Sequence, residues 1–196
     1  MAARDPHDEL VRVLRVWANA QRHFAEVLRT TDPTWGTDVF ELAGGVVALH
    51  GRGLYVNRAC AVGIDPPLTA ADLGELERGC AAVGVAPAVE VTPAAHPTTL
   101  EVLDRRDYRP DDEVIAFRRP IEPGHRAELP DWLQVERIDG ERIAEWQEAV
   151  AAGWGHVEPA ARRASDAFAA AAAVVDDPGL LLAIDRSSGV AVGCAS

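Results

Sequence analysis

One stretch limits what this chain can fold into more than any other. From Pro120 to Pro130 the sequence runs PIEPGHRAELP, with three prolines, one glycine and no apolar period of a helix or a strand. Proline fixes φ and removes a backbone donor, so neither a helix interior nor a central strand passes through such a segment. It is a linker by composition, tightest over 123–130, and it divides the chain into a unit of residues 1–122 and a unit of residues 131–196.

The 196 residues are 48% hydrophobic and 26% charged, which suits packed cores and excludes a disordered or fibrous chain. Acidic residues outnumber basic ones 31 to 19, a formal net charge of −12, so a nucleic-acid duplex or an anionic membrane surface repels the chain on average. All 19 basic residues are arginine, which removes Schiff-base and phosphate-loop lysine chemistry. Cys60, Cys80 and Cys194 form no C-x-x-C pair, the N-terminal residues are charged, and no apolar run approaches the ~18 residues of a membrane span. Those features predict a cytoplasmic protein without disulfides. No histidine stands three or four residues from another histidine or a cysteine, so no metal site is expected.

Local signals then set the elements. Asp5 as N-cap, Pro6 in the first turn and apolar residues at Leu10, Val13, Leu14, Trp17, Phe24, Val27 and Leu28 predict a helix to about Arg29. Strands are expected at Val39–Leu42, Val46–His50 and, after the Gly51-Arg52-Gly53 turn, Leu54–Ile64. Asp65-Pro66-Pro67 ends the last of these, and Thr69 with Asp72 three residues on forms a capping box for a helix closed by Gly84. A strand at Ala88–Thr92, a helix at Pro97–Arg106 and a strand at Glu113–Arg119 complete the first unit. The second has a strand at Trp132–Ile138, helices at Glu141–Ala152 and Pro159–Val175, and hairpin strands Leu180–Ile184 and Val190–Ala195. The fold class is therefore α/β, a mixed α+β chain with a mixed central sheet flanked by helices. One strand, two helices and a hairpin do not cover a sheet on both faces, so residues 131–196 are expected to be the first part of a larger unit. Their last strand would offer an edge to a second copy or a partner.

Two segments carry a family resemblance. NRACAVGIDPPLTAADL over Asn57–Leu73 and LEVLDRRDYRPDDEVIAFRRPI over Leu100–Ile121 together resemble the GNAT acetyltransferase superfamily. In that family a helix, a tight turn bearing an aromatic residue and a long strand close the domain. Arg106-Asp107-Tyr108-Arg109-Pro110 is similar to that turn, with Asp107 where glycine is usual. More narrowly, the chain resembles tandem GNAT proteins in which a degenerate N-terminal copy precedes an active one, residues 132–196 being similar to the opening of the second copy.

The resemblance implies N-acetyl transfer from acetyl-CoA to the primary amine of a small molecule or peptide. The family holds the coenzyme's pyrophosphate on a helix N-terminus, after a Q/R-x-x-G-x-G/A loop whose small residues let backbone donors approach. No segment of the chain is expected to match that loop; at the strand-to-helix junction in its position, Ile64–Thr69, two prolines remove donors and Asp65 adds an anion. By resemblance the coenzyme contacts are Val62, Gly63, Thr69, Ala70 and Ala71, the acid–base candidates are Glu90 and Tyr108, and the acceptor would meet Trp146 and Trp154. Each has a plainer reading beside it: a helix cap, a polar residue on a half-exposed strand, a core aromatic, helix packing. Residues 1–196 are expected to be weak or inactive alone, and the alternative is a non-catalytic GNAT-like module that pairs with a partner domain or chain.

Overall fold

The computed structural model describes residues 5–54, 56–113, 115, 124, 126, 128–156, 158–174 and 179–195. It is a mixed α+β fold with five helices and two three-stranded antiparallel sheets.

Helix α1 spans Pro6–Thr31, and the Asp5 carboxylate accepts the His7 N–H at 2.8 Å as its N-cap. Strands β1 (Asp38–Leu42) and β2 (Gly45–Leu49) form a hairpin across Ala43 and Gly44, both at positive φ, the backbone a two-residue hairpin of right-handed twist demands. Strand β3, expected from Leu54 to Ile64, is confined to Arg58–Cys60. Before it, the Asn57 side chain bonds the N–H and the carbonyl of Gly51 at 3.0 and 2.9 Å, which folds Asn57 back on Gly51. After it, Ala61 turns into left-handed backbone at φ 54° and ends the ladder.

Helix α2 (Ala70–Val83) starts at the expected Thr69–Asp72 capping box and stops at Gly84, φ 78°. The expected strand at 88–92 is reduced to one parallel bridge, Ala59 to Val89, and the next helix, α3, is Thr99–Asp104. Of the strand expected over Glu113–Arg119, Glu113 and Ile115 are described and lie outside any strand; the rest falls outside the described residues, as does most of 120–130.

Alternation along β2 and β3 sorts the first unit into three layers. Val47, Leu49 and Ala59 pack with Leu73, Leu76 and Cys80 of α2. Val46 and Cys60 point the other way and pack with Ala18 and Leu14 of α1.

The second sheet has the order β4-β5-β6, built from Leu133–Arg137, Leu181–Asp185 and Ala191–Ala195. Helices α4 (Ile143–Trp154) and α5 (Pro159–Ala173) precede the β5–β6 hairpin and bury Trp146, Ala169 and Ala172 against Leu180, Leu182 and Ile184. The two units meet where α5 lies on α1. There Phe168 stands 5.6 Å from the Phe24 ring and 5.5 Å from that of His50, Leu28 packs with Leu54 and Ala164, and the Arg163 guanidinium sits 4.5 Å over Trp35. Among the described residues no helix is long and apolar enough to cross a membrane.

Candidate functional site

The feature that organises the candidate site is a short parallel pairing that opens. Ala59 N–H donates to the Ala88 carbonyl and Glu90 N–H to the Ala59 carbonyl, both at 2.9 Å. Beyond Cys60 the two segments take different partners: Gly63 N–H turns to the Ala43 carbonyl at 3.0 Å, and the Gly63 carbonyl accepts His96 N–H at 2.7 Å. Two glycines admit this path. A Cβ on Gly45 would lie 2.3 Å from the Cys60 carbonyl oxygen, and one on Gly44 2.2 Å from that of Asp65, so residues 60–65 cross the hairpin turn in backbone contact.

On the α1 face, beside this opening, runs a groove of about 530 Å³. One wall is α1, with Val11, Arg12, Arg15, Val16 and Asn19 above His7 and Asp8; Ile64 and Asp65, at the end of the β3 segment, form the other.

The positions implicated for coenzyme binding are largely committed to the fold. Val62 is buried in the α2-side core, and both backbone groups of Gly63 are used. At the mouth of α2, Thr69 N–H and its hydroxyl both donate to the Asp72 carboxylate, at 2.8 and 2.6 Å, and Asp72 N–H donates back to Thr69 Oγ1 at 3.3 Å. Ala70 and Ala71 are exposed in the first turn. A carboxylate thus occupies the helix terminus where a pyrophosphate would sit, and Asp65 adds a second one close by in sequence. The residues present do not fit that group.

Glu90 and Tyr108 lie on opposite faces of the first sheet. Glu90 points to α1: its Oε2 accepts the Trp17 indole N–H at 3.0 Å and its Oε1 is 3.7 Å from Arg58 Nη1. Cys60 lies beside it, fully buried, and burial first, then the Glu90 charge, drives its thiol far above the usual range, so it is no nucleophile. Tyr108 packs on the α2 side against the cluster containing Cys80. Its hydroxyl has no hydrogen-bond partner among the described residues, and burial, with the charge of Glu77, pushes its pKa up to about 12. The sheet separates the two, so they do not form an acid–base pair on one substrate.

The tryptophans are not brought together either. Trp146 is buried in the second core and donates its indole N–H to the Ala195 carbonyl at 3.2 Å. Trp154, 71% exposed at the end of α4, stacks on His156.

The structure adds the backbone of Asp107 to the sequence reading, and the expectation that no segment matches the coenzyme loop is corrected. Asp107 takes φ 60°, the left-handed conformation for which glycine is usual, with Tyr108 N–H bonded to the Leu103 carbonyl at 3.1 Å. The pattern R-x-x-G-x-A does occur once in the chain, as Arg186-Ser187-Ser188-Gly189-Val190-Ala191. It forms the β5–β6 hairpin turn, where Asp185 Oδ1 accepts from Ser187 N–H and Ser188 N–H, and strand β6, not a helix, follows it. No cluster of histidine, cysteine and carboxylate side chains suited to a metal ion occurs among the described residues.

No family model matches the chain, and no curated protein or solved structure matches it.

Proposed function

We propose that the protein is a GNAT-type chain built for N-acetyl transfer from acetyl-CoA to a primary amine, with a first unit that is a degenerate copy and does not hold the coenzyme. The observation that carries this reading is the parallel pairing at Ala59–Val89, connected through α2, that opens immediately beyond Cys60. Acyl transfer to an amine needs both reactants held in line and backbone donors facing the developing oxyanion, and parting parallel strands supply both a cleft and such donors. The left-handed Asp107 ahead of Tyr108 supports the same reading, as does the β4, α4, α5, β5, β6 order of the second unit. The word degenerate rests on the carboxylates of Asp65 and Asp72 and on the committed backbone of Gly63.

The test is a gain of binding. Calorimetric titration of residues 1–196 with acetyl-CoA is expected to give no binding heat at millimolar ligand. The variant Asp65→Gly, Pro66→Gly, Pro67→Gly, Asp72→Asn, which restores small residues and removes both anions, is expected to bind. A folded variant that gains no affinity overturns the assignment of this junction, and tight binding by the unaltered chain overturns the degenerate label.

One observation favours a second reading, a non-catalytic module that assembles with itself or a partner. Val135 and Val192 on the second sheet are about half exposed. Sedimentation of residues 1–196 across a concentration series separates the readings, self-association supporting the module.

A further inference from the structure

We infer that the groove between α1 and the end of the β3 segment binds a small zwitterion with an apolar body, an amino acid carrying a large apolar side chain. The argument begins with where the arginines of this acidic chain go. Arg22, Arg58, Arg106, Arg142 and Arg162 each meet a carboxylate, and Arg163 lies on Trp35. Arg12 and Arg15 meet none among the described residues, although both line the groove. One turn apart on one helix, they present two guanidinium forks to the same space, the geometry that suits a carboxylate.

The opposite wall carries the opposite sign. Asp65 lines the groove with no ion-pair partner among the described residues, held in place by the close approach of its own carbonyl to Gly44. Asp8, on the α1 wall, makes the count of lining carboxylates equal to that of guanidiniums. A ligand of a single charge would gain at one wall and lose at the other, whereas an ammonium facing Asp65 and a carboxylate facing Arg12 and Arg15 gains at both. Between them Val11, Val16 and Ile64 supply apolar surface. About 530 Å³ lies within the range of small-molecule sites, with room for a ligand as large as a bulky apolar amino acid.

Three compounds make the test: L-phenylalanine, phenethylamine, which lacks the carboxylate, and hydrocinnamate, which lacks the ammonium. Binding to residues 1–196 is followed by ligand-observed and amide NMR without acetyl-CoA, so the outcome is separate from the coenzyme reading. L-Phenylalanine is expected to bind at least tenfold more tightly than either truncated analogue and to shift amides of 11–19 and 64–65. The double variant Arg12→Gln, Arg15→Gln should bring it down to the affinity of phenethylamine, and Asp65→Asn to that of hydrocinnamate; both change exposed side chains and leave the cores intact. Equal binding of the three compounds, shifts elsewhere, or no binding of L-phenylalanine at millimolar concentration overturns the inference.

Discussion

His50 makes the junction of the two units sensitive to acid, and the size of the effect follows from its surroundings. The residue ends the β2 segment and is fully buried, with the Phe168 ring of α5 5.5 Å from its own and neither ring nitrogen hydrogen-bonded to a described residue. Burial above all, with a smaller push from the positive charge of Arg58, lowers its pKa to about 4. In the unfolded chain the imidazole titrates near 6.5. Between those values the unfolded state binds the extra proton, so stability is fully present above pH 6.5 and is lost as the pH falls toward 4. The gap corresponds to about 3 kcal/mol, a large share of the roughly 5–15 kcal/mol that holds a domain folded. Substitution His50→Leu removes the titration and keeps an apolar side chain against Phe168. Urea unfolding at pH 7.5 and pH 4.5 should show the unaltered protein losing about 2–3 kcal/mol more than the variant over that interval. Carboxylates titrate alike in both proteins and cancel in the comparison. Equal losses would refute the reasoning, and would mean that water or a shifted ring partner reaches the imidazole in the folded state.

Three further substitutions probe the frame of the candidate site. Gly45→Ala would place a carbon 2.3 Å from the Cys60 carbonyl oxygen and 2.6 Å from the Val62 nitrogen; a loss of about 3 kcal/mol or more in urea unfolding is expected, because only backbone can give way. Thr69→Ala removes one half of the capping box of α2 and should cost about 1 kcal/mol in the same assay, with Thr69→Ser restoring most of it. Asp107→Gly relieves a left-handed aspartate and should raise stability by about 0.5–1 kcal/mol; a decrease would show that the contact of Asp107 with Arg109 outweighs the backbone strain.

Elements whose signals are local were legible in the sequence. Asp5 and Pro6 start α1 as expected, and Thr69, Asp72 and Gly84 bracket α2 to within a residue, because caps and stops act through bonds three or four residues long. The β3 segment was misjudged for the opposite reason. Leu54–Ile64 is apolar enough for a strand, but Asn57 folds the chain back on Gly51 through its side chain, and the Gly44-Gly45 pair pulls residues 60–65 over the hairpin, a contact between residues distant in sequence. The mixed sheet expected of the first unit became a three-stranded antiparallel one with one parallel bridge because 88–92 keeps only the bonds around Ala59.

The candidate site was harder to foresee because it depends on parity. Glu90 and Tyr108 were each reasonable as acid–base groups, yet which face a strand residue occupies is decided by one register: with Val89 opposite Ala59, Glu90 must fall on the side of Arg58 and Cys60. That puts it under α1, while Tyr108 follows α3 onto the α2 side. A shift of one residue in the 88–90 pairing would have placed both on one face, and no composition or motif fixes that shift. The R-x-x-G-x-A pattern at 186–191 makes the same point from the other direction. Its residues match the coenzyme loop letter for letter, but Asp185 folds them into a hairpin turn followed by a strand, so the donors that an anion requires from a helix start are absent there. Arg12 and Arg15 escaped notice in the sequence because they sit on the polar side of an amphipathic helix, where arginines are ordinarily just solvated. Only the loop of Ile64 and Asp65, brought across by the glycine pair, turns that side of α1 into the wall of a groove.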